Sequence, residues 1–380
     1  MAKKPKAPKE VTVARPEMPT IDQPRPVPFS GIFGHDRALG ILGDALRSDR
    51  LHHCWILHGP RGVGKFTAAL SFASVLLDPT ARPGNNGRWE TDPESETQKL
   101  LAAGTHPDLH IVVKELTKYH PDPEVRKKKL TTIPIDVLRD FLIQPAKLAP
   151  SLRTTARAGK VFIVDEAELL AAAGQNALLK VLEEPPSRVV ILLVTSSEDQ
   201  LLPTIRSRSQ RVYFSPLADH EMQRWLDLAN PDAPNDERQW LAEFAAGSPG
   251  VFMQARAMGL HEWWKKIGPL MVPAAKGEYQ VDLGGTMASL ADAWAKAQTE
   301  DTENASKETF NRIACEWMFR LAGTYIHRRL REAARSADAR AAVRPFLAML
   351  DKLREAEAEV DANVHPTFAL EKLASEVAAA

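Results

Sequence analysis

The feature that most constrains the fold is a glycine-rich loop that follows a short apolar run. The segment Trp55–Leu57 leads into the loop Gly59–Lys65 (GPRGVGK), and the apolar stretch Phe66–Leu77 follows. The first run predicts a buried parallel strand and the last predicts a helix. Because glycines permit tight turns, successive N–H groups of such a loop can face phosphate oxygens at the start of the helix. The pattern therefore predicts a phosphate-binding loop in an α/β domain.

Four loop residues are candidates for nucleotide binding, namely Gly59, Gly62, Gly64 and Lys65. In the pattern G-x-x-x-x-G-K-[ST] the lysine reaches the β- and γ-phosphates, and the final hydroxyl residue holds Mg²⁺. Phe66 occupies that final position and cannot ligate a metal. Thr67 does not obviously replace it, because one step along a helix rotates a side chain by about 100°. Taken alone, the loop is also compatible with an ordinary strand-to-helix connection.

Two further apolar runs end in polar residues. Val161–Val164 precedes Asp165 and Glu166, which predicts a central strand that delivers acids to its carboxyl edge. In P-loop ATPases such an aspartate binds Mg²⁺, and the adjacent glutamate polarises the attacking water. Val189–Val194 is a second buried strand, and Thr195 at its end is expected near the γ-phosphate. Together these runs favour a nucleotide site over an ordinary loop.

Composition limits the remaining function classes. The 380 residues include 49 Lys and Arg against 49 Asp and Glu, so any contact with DNA must come from a local patch. Cys54 and Cys315 are too few for a zinc site of their own or a disulfide framework. Without an apolar run of transmembrane length or a signal-peptide pattern, we expect a soluble cytoplasmic protein with no membrane partner.

The chain divides into four predicted regions. Residues 1–28 are rich in Lys and Pro and predict a disordered tail. Residues 29–215 alternate strand and helix patterns and predict an α/β domain with a parallel sheet. Residues 216–270 predict a small helical domain, and residues 279–380 a helical bundle. A turn is expected at Gly247–Gly250.

A polar insertion between Asp78 and Lys129 raises one alternative. His106, Asp108 and His110 could form a metal site, but alternate strand residues beside a turn aspartate explain them without a metal. We favour the structural explanation and expect no metal. The basic cluster 126–129 is expected to be a solvated loop.

Several segments carry a family resemblance. They are Phe33-Gly34-His35, GPRGVGK at 59–65, GTHPDLH at 104–110, VFIVDEAE at 161–168, NALLKVLEEPP at 176–186 and LLPTIRSRSQ at 201–210. With them the chain resembles the delta-prime subunits of bacterial DNA polymerase III clamp loaders, a divergent AAA+ family. The match spans the AAA+ module nearly end to end. The last hundred or so residues are similar only in length and helical character.

The resemblance implies a role in DNA replication. Clamp-loader subunits form a hetero-pentameric ring, here with the motor subunit and delta as partners, that places the sliding clamp on primer-template DNA. The family's arginine finger corresponds to Arg208, in Ser207-Arg208-Ser209, where serine replaces the usual final cysteine. Such an arginine completes the ATP site of a neighbouring subunit. An ion pair of Arg208 within its own domain is the alternative. The resemblance also implies a helical lid at 216–270 and a collar at 279–380.

Three departures from the family pattern affect hydrolysis. Phe66 removes the Mg²⁺ hydroxyl, and Gly250 stands where ATPase members carry an arginine that touches the γ-phosphate. Residues 78–130 also lack the four cysteines of the zinc module that many relatives carry, so zinc is expected to be absent. We therefore expect ATP or ADP to bind weakly and turnover to be negligible. An active AAA+ motor subunit is the alternative; an unrelated P-loop kinase is a poor third, because it leaves the helical tail unused.

Overall fold

A computed structural model describes residues 25–48, 51–84, 87–128, 130–229, 232–300, 307–336 and 338–379. Most of the tail predicted to be disordered, residues 1–24, lies outside the described residues. The chain forms two compact units, one ending at Glu221 and the other beginning at Met222.

The strands are β1 (Cys54–His58), β2 (Arg82–Pro83), β3 (Trp89–Glu90), β4 (Leu109–Val112), β5 (Lys160–Val164), β6 (Val189–Thr195) and β7 (Gln210–Tyr213). The helices of the first unit are α1 (Asp36–Arg47), α2 (Lys65–Leu77), α3 (Glu96–Ala102), α4 (Pro123–Arg126), α5 (Ile135–Leu138), α6 (Gln144–Lys147), α7 (Ala172–Glu183) and α8 (Pro203–Ser207). From Asp219 onward the helices are α9 (Asp219–Ala229), α10 (Asn235–Ala245), α11 (Pro249–Ala257), α12 (Leu260–Ala274), α13 (Asp282–Glu300), α14 (Lys307–Ala333), α15 (Ala339–Asp361) and α16 (Pro366–Ala379).

The first unit is built on a five-stranded parallel sheet, which confirms the predicted α/β fold. The strand order is β4-β5-β6-β1-β7. His58 of β1 pairs with Thr195 of β6, and Val164 of β5 pairs with Leu193 of the same strand. Because all five strands run the same way, their carboxyl ends meet at one edge of the sheet. That edge carries the glycine-rich loop, Thr195 and Asp165.

The sheet is apolar because helices cover both of its faces. Strand β5 is buried throughout, and alternate residues enter different cores: Val161 and Ile163 pack in one cluster, Phe162 and Val164 in the other. The first cluster includes residues of α1 and α2, and the second includes residues of α5 and α7. A strand buried on both faces needs apolar residues at every position, which explains its continuous apolar run.

The insertion after α2 is more ordered than its polar composition predicts. The short hairpin of β2 and β3 buries Trp89, whose indole Nε1–H donates to the Gly43 carbonyl at 3.1 Å. The buried Asp78 carboxylate accepts hydrogen bonds from the Thr80 and Ser95 hydroxyls and from the Gln98 amide. These bonds tie the segment to the end of α2. Arg126, expected in a loop, lies in α4.

The second unit is helical, as predicted. Helices α13 to α16 pack on one another and bury Phe319 among other apolar side chains. Helix α12 runs through residue 270, the predicted limit of the lid, so the division into lid and collar stays a prediction. The prediction of a turn at 247–250 is wrong for its last two residues, because Pro249 and Gly250 belong to α11. No described helix is long and apolar enough to cross a membrane.

Candidate nucleotide site

The glycine-rich loop has the backbone that its sequence predicts. Gly59, Gly62 and Gly64 have φ values of 141°, 77° and 105°, a region that side-chain-bearing residues rarely occupy. A Cβ atom at Gly59 would lie only 2.0 Å from the Phe214 carbonyl oxygen, so the loop passes against the end of β7 with no room for a side chain. Gly64 is the N-cap residue of α2, whose first N–H groups have no partner within the helix. This is the backbone geometry of an anion cradle.

Lys65 occupies the centre of this cradle. Its buried ammonium donates to the carbonyl oxygens of Gly59 and Pro60, both at 2.7 Å. Burial lowers the pKa of Lys65 to about 8, because removal from water disfavours the charged form. The oxygens of a bound phosphate could accept the hydrogen bonds that this ammonium donates to carbonyl oxygens, and their negative charge would stabilise its charged form. The loop and Lys65 therefore fit a polyphosphate.

The residue after Lys65 serves packing instead of metal binding. Phe66 is half-buried and packs against the core cluster that includes α1 and α2. A phenyl ring has no lone pair to offer a cation. Because Phe66 is fixed on the apolar side of the helix, the site does not fit the Mg²⁺ arrangement of a typical P-loop ATPase.

Asp165 and Glu166 lie at the end of β5, as predicted, but both are constrained. Asp165 Oδ1 accepts a hydrogen bond from the Glu166 N–H at 2.9 Å, and burial raises the pKa of Asp165 to about 6. Glu166 has a left-handed backbone with φ 48°. Its two carboxylate oxygens pair with Lys114 Nζ at 2.6 Å and Arg61 Nη2 at 3.6 Å. The carboxylate that would polarise water is thus held by two cations.

Thr195 is buried at the end of β6, between the loop and Asp165. Its hydroxyl oxygen accepts from the Ser197 N–H at 3.1 Å. Beside it, Glu168 accepts from both the hydroxyl and the N–H of Ser196. Burial alone would raise the pKa of Glu168, but hydrogen bonds from Ser196 and Thr195 outweigh it and lower that pKa. Thr195, Ser196 and Glu168 are therefore held by hydrogen bonds at the end of β6, where the sequence predicted the γ-phosphate.

Sequence reasoning missed three charged residues at this edge, namely Arg61, Lys114 and Glu168. Lys114 follows β4, the neighbour of β5, so the rule that parallel strand ends share one edge could have placed it near Asp165. Glu168 lies one helical-type turn beyond Asp165. Arg61 belongs to the loop itself. The pairing of Arg61 and Lys114 with Glu166 depends on tertiary geometry that sequence spacing does not reveal.

Two histidines support the loop without a chemical role of their own. His35 Nε2 hydrogen-bonds the Val63 carbonyl at 2.8 Å, and its ring packs edge-on against Phe214 at 4.9 Å. His58 lies 3.5 Å from a Glu198 carboxylate oxygen. Burial lowers the pKa of both histidines. Each therefore favours its neutral form at pH 7, as expected of structural histidines.

Arg208 lies at the C-terminal end of α8, away from the loop in sequence and on the surface. Its side chain is 40% exposed; Nη2 lies 3.2 Å from Glu183 Oε1, and Nη1 donates to the Thr204 carbonyl at 3.3 Å. The alternative of an ion pair within its own domain is therefore present in this structure. An exposed pair of this kind contributes only about 0–1 kcal/mol, so the guanidinium can be redirected at little cost.

The three residues considered as a metal site have separate structural roles. The Asp108 carboxylate accepts from the N–H groups of Ser151 and Leu152 at distances of 2.7–2.9 Å. His106 Nδ1 accepts from the Asp108 N–H, and His110 stacks on Phe162 with ring centres 4.6 Å apart. Across the described ranges, no three His, Cys, Asp or Glu side chains are grouped as metal ligands.

Comparisons with known proteins show that the first unit is similar to subunits of DNA polymerase III. Residues 34–218 match the family model described as "DNA polymerase III, delta subunit". The chain is 33% identical over 211 residues to the DNA polymerase III subunit delta' of Pseudomonas aeruginosa. This alignment covers 55% of this chain and 57% of the relative. It is 31% identical over 205 residues to the DNA polymerase III subunit gamma/tau of Mycobacterium tuberculosis, covering 53% of this chain and 31% of that relative.

The matches leave much of each relative unaligned. The chain spans about half the length of the Pseudomonas relative and about a third of the mycobacterial one. A solved DNA polymerase III gamma subunit-related protein of Thermotoga maritima aligns with 90% of this chain and 99% of that chain, with 18% identity and a TM-score of 0.41. That score is too low to superpose individual site residues.

Proposed function

We propose that the chain is a clamp-loader subunit acting in DNA replication in the cytoplasm, because residues 34–218 match the DNA polymerase III delta subunit model and the chain is similar to subunits named delta'. Its partners in this proposal are the motor subunit and delta, in a hetero-pentameric ring. The ring loads the sliding clamp onto primer-template DNA. The chain itself hydrolyses little or no nucleotide and lends Arg208 to a neighbouring ATPase site.

One observation supports the non-hydrolysing role above all others: the half-buried Phe66 packs against the apolar core at the position where a hydroxyl would hold Mg²⁺. The pairing of Glu166 with Lys114 and Arg61 adds a second obstacle, because a carboxylate engaged by two cations is a poor base for water. Phosphoryl transfer depends strongly on the metal ion that stabilises charge and on the carboxylate that polarises the attacking water, and both are impaired here.

The ligand of the cradle in this proposal is ATP or ADP. Lys65 and the N–H groups at the start of α2 would hold its phosphates, and Asp165 and Thr195 would face the γ-phosphate region. A bound nucleotide would supply negative charge to the buried ammonium. Without the Mg²⁺ hydroxyl we propose weak binding. The segment between α2 and β4 uses hydrogen bonds around Asp78, so we propose no zinc in the protein.

The arginine-finger role of Arg208 is supported by its exposure and by the weakness of its present pair. A guanidinium that is already in water and held by one exposed carboxylate can contact a γ-phosphate brought by another subunit. In such a site the arginine stabilises transition-state charge and can be worth about 10³–10⁵ in rate.

A motor-type ATPase is the second candidate. The retention of Lys65, Asp165 and Glu166 favours it, and so does the similarity to a gamma/tau relative that nearly equals the similarity to delta'. Under this alternative the isolated chain hydrolyses ATP and loses that activity on Glu166→Gln.

The proposal is tested with the purified full-length chain. We expect no ATP turnover above that of a Lys65→Met variant, and we expect mass measurement to show a defined complex when candidate clamp-loader subunits are added. Turnover that depends on Glu166 would establish the motor reading instead. Failure to assemble with any loader subunit would contradict the ring role.

A further inference from the structure

The end of the helical unit where α14 passes into α15 carries an unusual concentration of arginine. Between Arg328 and Arg344 there are six arginines, one glutamate and one aspartate, a net charge of about +4 in a chain whose total is zero. Five of the six arginines are exposed, and Arg328 among them pairs with Glu243 and Glu332. The other four define the arginine patch: Arg331, Arg335, Arg340 and Arg344.

The four patch arginines lie at one end of the helical unit because the two helices lie side by side here and are joined at that end. The guanidinium of Arg329 lies over the Phe346 ring at 5.9 Å from its centre, so the last turns of α14 are level with the second turn of α15. Arg331 and Arg344 each lie two residues from this contact, towards the connecting turn. Arg335 and Arg340 flank the turn itself.

The four patch arginines are unpaired, unlike most charges of this helical unit. Within the described part of the chain none of them has a carboxylate within salt-bridge distance, and Glu332 is taken up by Arg328 and Arg329. Elsewhere on the same helices the cations are matched, as in the pairs Arg312–Asp361 and Lys372–Glu359. Among the described residues of α14 and α15, the cations without a carboxylate partner are therefore concentrated at the end where the two helices are joined.

Local helix energetics disfavour part of this arrangement. Arg340 lies in the first turn of α15, where a cation opposes the helix dipole, and the only acidic group at this helix start is the N-cap residue Asp338. Arg340 and Arg344 lie four residues apart on α15, where like charges repel each other. Residues that break local rules without a structural gain mark functional surfaces.

The chemistry of the patch fits a chain of phosphates. Arg340 and Arg344 lie about 6 Å apart along the axis of α15, and each patch guanidinium can bind a phosphate through two parallel hydrogen bonds. Among the described residues between 328 and 347 the only exposed large apolar side chain is Leu347, whereas a protein interface needs an apolar centre built from several such side chains. A nucleic-acid backbone suits such a surface better than an acidic protein.

We propose that the arginine patch binds the phosphate backbone of nucleic acid, independently of the nucleotide site. The partner is recognised by charge and phosphate spacing, without reading of the bases. The patch supplies the local basic surface that a chain of balanced overall charge needs for direct contact with DNA.

The test measures binding of a fluorescein-labelled oligothymidylate and of a labelled duplex to the full-length chain by anisotropy, at several salt concentrations. The patch variant changes Arg331, Arg335, Arg340 and Arg344 to Gln. The matched control changes Lys147, Lys266, Lys276 and Lys296 to Gln, which removes the same charge from exposed residues outside the patch. Since all eight side chains are exposed, we expect both variants to keep the wild-type circular dichroism and melting temperature.

With four phosphate contacts, affinity for the single strand should fall about fiftyfold between roughly 50 and 200 mM salt, a log–log slope near −3. We expect the patch variant to lose at least about tenfold in affinity at low salt and most of this slope, while the control retains both. Equal losses in patch and control variants would show a net-charge effect and overturn the proposal. Unchanged DNA binding by the patch variant would also overturn it. Polyglutamate serves as a probe for an acidic protein, and patch-dependent binding of polyglutamate in preference to both DNA probes would overturn the proposal as well. Comparison of the affinities for the oligothymidylate and the duplex shows whether the patch prefers single-stranded or double-stranded DNA.

Discussion

At the scale of single residues, the nucleotide site combines a preserved cradle with a changed metal position. Gly59, Gly62 and Gly64 have the backbone that phosphate binding requires, and Lys65 is buried among carbonyl groups. Phe66 contributes to the core instead of to a metal site. The sequence predicted the turn of the loop and the missing metal hydroxyl, because both depend on residue type and position in a short segment. The carbonyl partners of Lys65 and the packing of Phe66 depend on the folded structure and were not predicted.

The role of Phe66 leads to a direct prediction. Phe66→Thr should restore a hydroxyl at the metal position and make nucleotide binding stronger in the presence of Mg²⁺, at a cost of about 1–3 kcal/mol in stability from lost packing. The measurement is ADP affinity by calorimetry with and without Mg²⁺. Phe66→Leu, which stays apolar, is the control. An equal Mg²⁺ enhancement in the wild-type chain would show that another group already holds the metal.

Lys65 predicts a pH dependence of binding. Its pKa is lowered by burial to about 8, so below pH 8 the free chain already carries the ammonium that phosphate needs. Above pH 8 binding must also take up a proton, and nucleotide affinity should fall by up to about tenfold per pH unit. ADP titrations between pH 7 and 9.5 measure this, with Lys65→Met as the variant that binds weakly throughout. A flat affinity profile for the wild-type chain would contradict the assignment.

At the scale of elements, strand and helix patterns predicted the sheet well. β5 and β6 are continuous apolar runs because both faces are covered, and α2 follows the loop as expected. The segment after α2 was not predicted, because its order depends on one aspartate that gathers partners from three separate positions. Spacing in sequence does not reveal such convergence. The pairing of Glu166 with Lys114 was missed for the same reason.

Asp78 is expected to hold this segment in place. Asp78→Ala would leave the Ser95 hydroxyl and the Gln98 amide without their acceptor, and should lower the free energy of unfolding by about 2–4 kcal/mol. Limited proteolysis should then cut between α2 and β4 well before the rest of the chain. Asp92→Ala, at an exposed aspartate of the same segment, should change little. Equal protease resistance in wild type and Asp78→Ala would mean that the Trp89 packing suffices.

At the scale of the whole molecule, the chain combines an α/β unit that is similar in sequence to delta' subunits with a helical unit that sequence patterns describe only in outline. The first unit could be predicted because its glycine-rich loop and apolar strands have characteristic residue types and spacings. The helical unit carries no such motif, and only its helical character could be predicted. The arginine patch became visible once the structure showed which cations are unpaired.

The central claim is that this chain completes a neighbour's ATP site with Arg208 and does little hydrolysis itself. Glu183→Gln, which frees Arg208 from its present pair, should leave the ATPase rate of the assembled complex unchanged or higher. Lys180→Ala, an exposed cation on the preceding helix, should also leave it unchanged.

The most direct measurement is the ATPase rate of the reconstituted clamp loader containing Arg208→Ala, with assembly verified by mass. The complex should form normally, and turnover at the site that faces this chain should fall by about 10³-fold or more. A complex that assembles and hydrolyses ATP at the wild-type rate at that site would contradict the account.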